Sequence, residues 1–406
     1  MTPQDVVRLT VERQGLHRRT GRLEPVAAIE RFGPLHASDH RTPYLSLLAR
    51  VEDFAIADLD RAWLFERRLD RRTSMRGTLH LLPAARLPDT VCSFGPARPE
   101  DHRALREAAI PPLEARRFRR AVESILEREG PLELSGLKRA LPANLRDRAT
   151  EKTAVGPSVL AVVVRWMTEA GVLALGANPV PQSPGSPSGW GRAPQAYERF
   201  DPVFGPLPPC RRDQADARLV RWYFEAHGPA AFEDWAWWTG FPAARSAAAF
   251  ERIRSELDEV AVAGWPERVY LPAGDLERAA PAAEADGPVV RLLPYEDAAL
   301  KAYRSTRRRF FDPDVGERQH TLFGEVLPTV LVDGTVVGTW SSGARGWAGA
   351  LGAAAGRPDR GLAVELFVPV APSVHDRLDA ELARLRAALE ATSPDRARVD
   401  APPGGG

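Results

Sequence analysis

Cysteine is almost missing from this chain: Cys92 and Cys210 are the only two in 406 residues. They form no CxxC pair, and no HxxxH pair lies on a predicted helix, so neither a zinc nor an iron–sulfur site is expected. The expectation is two reduced, mostly buried thiols. Lysine is also scarce, with Lys138, Lys152 and Lys301 standing among 55 basic residues. The rest are arginine, a bias that follows genome composition rather than function. No stretch approaches the ~18 uncharged apolar residues of a membrane-spanning helix. The opening Met1-Thr2-Pro3-Gln4-Asp5 lacks the basic and apolar regions of a signal peptide, which makes the cytoplasm the expected location. Gly349 to Gly356 lacks the Gly-Lys-Ser/Thr of a phosphate loop, and Gly185 to Gly191 follows no apolar strand. No nucleotide site and no cofactor are therefore predicted.

An apolar content of 44% suits a globular protein, and the length admits roughly two to four domains. The net charge of +1 hides an asymmetry. Residues 1–170 hold 29 Lys/Arg and 23 Asp/Glu, whereas the remainder holds 26 and 31. A mildly basic N-terminal half fits a phosphate-binding face.

Periodicity and turn residues predict helices over 3–14, 25–32, from Pro43, and over 59–68. Residues 73–82 alternate. Met75, Gly77, Leu79 and Leu81 share one face; Ser74, Arg76, Thr78 and His80 share the other. Helices over 113–129, 134–140 and 157–170 then lead into a strand over 171–176. Residues 178–194, rich in Pro, Gly and Ser, read as a loop. Helices over 219–226, 232–238 and 243–257 precede a hairpin of 260–262 with 269–271 around Gly264. Helices followed by such a strand or hairpin are the pattern of a winged helix, and it occurs three times. Strand-like segments follow at 289–293, 329–332, 336–340 and 362–368, with Asp333-Gly334 as a hairpin turn. A helix over 374–389 closes the ordered chain. The fold expected is mainly α with small β-sheets (α+β): three tandem winged-helix units plus a C-terminal β-barrel-like domain. The predicted boundaries are 1–111, 112–194, 195–285 and 286–392, with a disordered tail over 393–406.

The densest polar run is Leu35-His36-Ala37-Ser38-Asp39-His40-Arg41. It abuts a helix whose N-cap is predicted at Thr42, with Pro43 as first helical residue. Tyr44, Leu47, Leu48 and Val51 form that helix's apolar face. On extended backbone, residues two apart point the same way. His36 and Ser38 should then converge on one spot that could hold a water, with Ala37 toward the core and Asp39 pointing away. Alternatively, Ser38 bonds local backbone and His36 packs.

Further along stand Ser74-Met75-Arg76-Gly77-Thr78-Leu79-His80-Leu81-Leu82-Pro83, His227-Gly228-Pro229, Trp238-Thr239-Gly240, Arg291-Leu292-Leu293-Pro294, and Val332-Asp333-Gly334 through Gly338-Thr339-Trp340. In that order, and with the segment before Pro43-Tyr44-Leu45, they resemble the AlkZ/YcaQ-like DNA glycosylases over roughly residues 3–392. In that family a Gln–apolar–Gln or Gln–apolar–Asp triplet precedes the Pro-Tyr-Leu helix; here the triplet reads His36-Ala37-Ser38. The resemblance implies tandem winged helices around damaged duplex DNA, acting as a monomer close to the nucleoid. It implies hydrolysis of the N-glycosidic bond of alkylated, cationic or bulky purines, without metal or cofactor. By analogy, such proteins can also serve resistance to self-made alkylating antibiotics.

His36, Ser38 and Asp39 are the catalytic candidates. Arg76, Thr78 and His80, beside Arg71 and Arg72, are candidates for phosphate contact or form a solvated strand face. The same alternatives hold for Arg41 and for Arg307 and Arg308. Trp235, Trp237 and Trp238 fit a core better than a base-stacking platform. A catalytically inactive DNA-binding protein, a lesion sensor or transcription regulator, is the competing function.

Overall fold

The computed structural model describes residues 1–96, 98–176, 190, 196–278, 287–312, 318, 324–342 and 362–390. Apart from Trp190, the loop expected over 178–194 is described in none of residues 178–189 and 191–194, and the tail over 393–406 is also outside. The chain divides into two compact units, Met1–Leu59 with Ala217–Gly406, and Asp60–Asp216. Helices and small antiparallel sheets alternate in both.

In the first unit, helix Pro3–Arg13 starts in a capping box. The Thr2 hydroxyl accepts the Asp5 N–H, and the Asp5 carboxylate accepts the Thr2 N–H. Helix Pro25–Phe32 stops at Gly33, which has φ 89°. A Cβ there would lie 2.7 Å from His227 Nε2, so only glycine permits this approach. Strand Leu35–His36 and helix Thr42–Arg50 follow. Pro43 lies in the first turn as expected, but the N-cap position belongs to Arg41. Thr42 is already helical, and its hydroxyl donates instead to the Tyr295 carbonyl at 3.1 Å.

That helix carries more than its apolar face. Thr42, Ser46 and Arg50 are spaced i, i+4, i+8, and all three are buried. The Arg50 guanidinium grips the Asp297 carboxylate at 2.6 and 2.9 Å, and the Ser46 hydroxyl donates to the same carboxylate at 3.1 Å. Arg50 and Asp297 have no solvent exposure. Arg50 also donates to Gln14 Oε1, whose amide nitrogen donates to the carbonyls of Phe32 and Ala226. The same amide nitrogen lies 3.3 Å from His227 Nδ1. At the other end of the helix, Arg384 of the terminal helix Pro372–Glu390 caps the carbonyls of Leu48, Val51 and Glu52.

Among the described residues, the C-terminal strands do not close into the expected barrel-like form. They make an open four-stranded antiparallel sheet in the order Leu362–Leu366, Thr335–Ser342, Thr329–Val332, Val290–Leu293. Among the described residues, no pairing joins its two edges. Asp333 and Gly334 make the expected turn, with φ 49° and 86°. Trp340 Nε1 donates to the Leu293 carbonyl at 2.8 Å and fixes the end of the edge strand. Helices Phe232–Thr239 and Ala243–Glu251 precede the hairpin Leu257–Ala261 with Arg268–Pro272. Trp235 and Trp238 are buried there, as core residues.

The second unit packs helices Pro112–Glu129, Leu134–Ala140, Ala143–Thr150 and Val159–Glu169 around Phe118, Val163 and Trp166. Two expectations change here. Residues 73–82 do not form one strand: the backbone breaks at Ser74 and turns through Arg76 and Gly77, both at positive φ. The result is a hairpin of Leu69–Thr73 with Leu79–Pro83. Cys92 and Cys210 are not separate thiols; they form a disulfide, with Cα atoms 5.3 Å apart across a separation of 118 residues. Composition could not show that folding brings them together.

Two predictions follow from the buried network. Asp297→Ala leaves the Arg50 guanidinium buried without its carboxylate, and should destabilise the fold by about 3–5 kcal/mol in urea denaturation. A change below about 1 kcal/mol, the range of a surface pair, would contradict it. Burial, with repulsion from Arg50, Arg13 and Arg309, lowers the pKa of His227 to about 3 from 6.5. Between those values the unfolded chain takes up a proton that the folded chain refuses. Stability should therefore be complete above pH ~6.5 and fall as the pH drops toward 3. His227→Gln should flatten that part of the pH–stability curve.

Candidate active site

Extended backbone at Leu35–His36 alternates its side chains as the sequence requires. Leu35 and Ala37 are fully buried. His36 and Ser38 leave on the other side, and Ser38 Oγ lies 3.3 Å from His36 Nε2. The imidazole is 4% exposed, while Ser38 opens to solvent. Asp39 does not join them. Its Oδ1 accepts the Arg41 N–H at 2.8 Å, an Asx turn into the helix, and stands 4.0 Å from His40 Nδ1.

The other wall comes from far along the chain. After strand Val290–Leu293 the backbone passes Pro294 and Tyr295 to Glu296, a non-glycine residue at φ 55°. The loop is pinned on both sides of Glu296: Thr42 bonds the Tyr295 carbonyl, and Arg50 holds Asp297. The Oε1 atom of Glu296 accepts from Lys301 Nζ at 2.7 Å and from the Val326 N–H at 2.6 Å. Its Oε2 atom stands 3.7 Å from His36 Nε2. The Tyr295 ring meets the imidazole edge-on at 6.2 Å, and its hydroxyl donates to Glu325 at 2.5 Å. Burial, then the Glu325 bond and the charges of Glu296, Glu325 and Asp39, push the Tyr295 phenol well above its usual range. It stays a neutral donor.

Hydroxyl and carboxylate thus converge on one nitrogen of the imidazole. Such a group can orient a water, take its proton and stabilise positive charge beside it. Sequence reading brought His36 and Ser38 together but missed Glu296 and Tyr295. The available signal was the acidic pair Glu296-Asp297, which follows Arg291-Leu292-Leu293-Pro294 after Tyr295. Nothing local in sequence tied it to His36.

In the 69–83 hairpin, Arg71, Arg72 and His80 are buried. Arg72 pairs with Asp70 at 2.7 Å and lies over the Phe200 ring, and His80 Nδ1 meets the Ser74 hydroxyl at 3.1 Å. Thr78 bonds the Met75 carbonyl, and Arg76 sits half-buried at the turn. Arg41 is half-buried at the helix entry. The Asp234 carboxylate gathers the N–H groups of Arg304, Ser305 and Thr306, which shapes the arginine run. Arg307 is half-buried there; Arg308 is exposed, pairs with Glu267 and lies over Trp265; Arg309 is buried. Among the described residues, no three His, Cys, Asp or Glu side chains gather into a metal-binding group. None of the described helices is long and apolar enough to cross a membrane.

The sequence pattern of the DNA glycosylase AlkZ-like family matches residues 29–391, nearly the whole chain. The chain belongs to that family. The match takes in the His36–Ser38 segment, the loop bearing Glu296 and the terminal helix. Among solved structures, the fold is similar to that of the Streptomyces sahachiroi DNA glycosylase AlkZ, with TM-score 0.72 and 20% identity over 96% of both chains. No curated protein matches the chain in sequence.

The burial of Arg72 yields a test. Arg72→Ala removes a guanidinium paired inside the hairpin and leaves Asp70 buried without it, so the fold should lose about 3–5 kcal/mol. Full stability together with weakened nucleic-acid binding would instead make Arg72 a surface contact.

Proposed function

We propose that this protein is a DNA glycosylase that hydrolyses the N-glycosidic bond of alkylated, cationic or bulky purines in duplex DNA. His36 and Ser38 position the attacking water. The observation that carries this reading is the 3.3 Å approach of Ser38 Oγ to His36 Nε2, in the segment that precedes the Pro-Tyr-Leu helix of an AlkZ-like chain. A cationic N-alkylpurine already has a weak glycosidic bond and departs neutral, so no strong general acid is required. The demand is for a held water, a proton acceptor and stabilisation of oxocarbenium-like charge. The imidazole accepts the proton, and the serine hydroxyl orients the water.

The succession of three helices and a hairpin between Arg212 and Pro272 supports a winged-helix reading of the DNA-binding scaffold. Phosphate contact falls to side chains left at least partly open: Arg41, Arg76, Thr78, Arg307 and Arg308. The buried Arg71, Arg72 and His80 support the hairpin that carries Arg76 and Thr78.

In single-turnover excision from a duplex carrying one N7-alkylguanine, His36→Ala should be slower by roughly 10²-fold. Ser38→Ala should lose less, because a hydroxyl only orients the water. Neither change should alter affinity for intact duplex, which should itself fall steeply with salt. An unimpaired His36→Ala variant would contradict the assignment, and salt-independent binding would contradict the phosphate contacts.

A further inference from the structure

We propose that Glu296 is the positioning residue of this site: its carboxylate orients the His36 imidazole and stabilises the imidazolium formed when the water gives up its proton. The inference rests on the glycosylase reading above. In that step the water oxygen bonds C1′, and the C1′–N9 bond breaks with its electron pair passing to the cationic purine. The water proton passes to His36 Nε2.

Three observations select Glu296. First, its Oε2 atom is 3.7 Å from Nε2, the nitrogen that also faces Ser38 Oγ. Second, the carboxylate cannot easily turn: Oε1 is held by Lys301 and by the Val326 N–H, which leaves Oε2 for the imidazole. Third, the backbone holds Glu296 at φ 55°, a conformation disfavoured for a side chain of this size, between two anchored neighbours. The residue is 5% exposed there, beside the histidine. Because the carboxylate faces the same nitrogen that takes the proton, it acts on the imidazolium formed there rather than through the opposite ring nitrogen.

Other titratable groups lie near the imidazole. Tyr295 presents its ring edge, with Glu325 on its hydroxyl. Lys301 lies behind the far oxygen of Glu296 and offsets part of its charge. Asp39 and His40 follow along the chain, and Asp39 is engaged by the Arg41 N–H.

The test is the titration of His36 by NMR in the full-length chain, wild type against Glu296→Gln, with Asp39→Asn as comparator. An opposite charge this close supports the protonated ring, so Glu296→Gln should lower the His36 pKa by about one unit. Asp39→Asn should lower it by less. The acid limb of the single-turnover pH–rate profile should move to lower pH by the same amount, and the plateau should fall roughly 10-fold. Glu296→Asp, which keeps the charge but withdraws it by one methylene, should give a smaller shift; it also decides the matter if the glutamine variant does not fold. An unchanged His36 pKa, or an equal shift in Asp39→Asn, overturns the proposal. A rate loss with no movement of the acid limb also overturns it, because that is what a merely structural residue would give. A wild type that releases no base, with the pKa shift intact, would overturn the glycosylase reading and leave the Glu296–His36 coupling standing.

Discussion

The pairing of Arg50 with Asp297 is the constraint on which the site depends. Two opposite charges with no solvent exposure gain little net stability, because both lose their hydration. What they gain here is register. Arg50 lies two helical turns after Thr42, and both reach the segment Tyr295–Asp297. A helix is stiff, so two contacts along one face fix the segment's position and its direction. Glu296 falls between those contacts, and its carboxylate stands 3.7 Å from His36 Nε2.

The same network explains which histidine can act. His227 has Nδ1 close to the Gln14 amide, and its ring is enclosed by Gly33, Tyr223 and Trp238. Its pKa is lowered to about 3, first by burial and then by surrounding arginines, so it stays neutral and serves packing. His36 sits beside a carboxylate instead, with a solvent-open serine as neighbour. Two buried imidazoles in one unit thus differ in the sign of the charge nearest to them.

Much of this was legible in the sequence where the determinants are local. Period-two alternation placed His36 with Ser38 and Ala37 in the core. Glycine, proline and the Asp333-Gly334 pair marked the turns, and helical spacing put Trp235 and Trp238 inside. The rest depends on contacts between distant residues. Thr42 was expected to cap its own helix, but a partner more than 250 residues away claims its hydroxyl. Asp39 was expected to point away from His36, and its carboxylate accepts the Arg41 N–H, whereas the carboxylate 3.7 Å from the imidazole, that of Glu296, comes from far along the chain. Alternation over 73–82 fitted a strand equally well, and only the positive φ of Arg76 and Gly77 reveals the turn. Sheet closure and the Cys92–Cys210 bond are likewise properties of the assembled chain.

The central claim is that hydroxyl, imidazole and carboxylate at this site activate a water against a glycosidic bond. The most direct measurement uses the wild-type chain with a duplex carrying one N7-methylguanine, protein in excess, and follows free base and alkali-labile abasic sites. The account predicts base release far faster than spontaneous depurination, with one abasic site per duplex. Tight binding of the same duplex with its base left in place would contradict it.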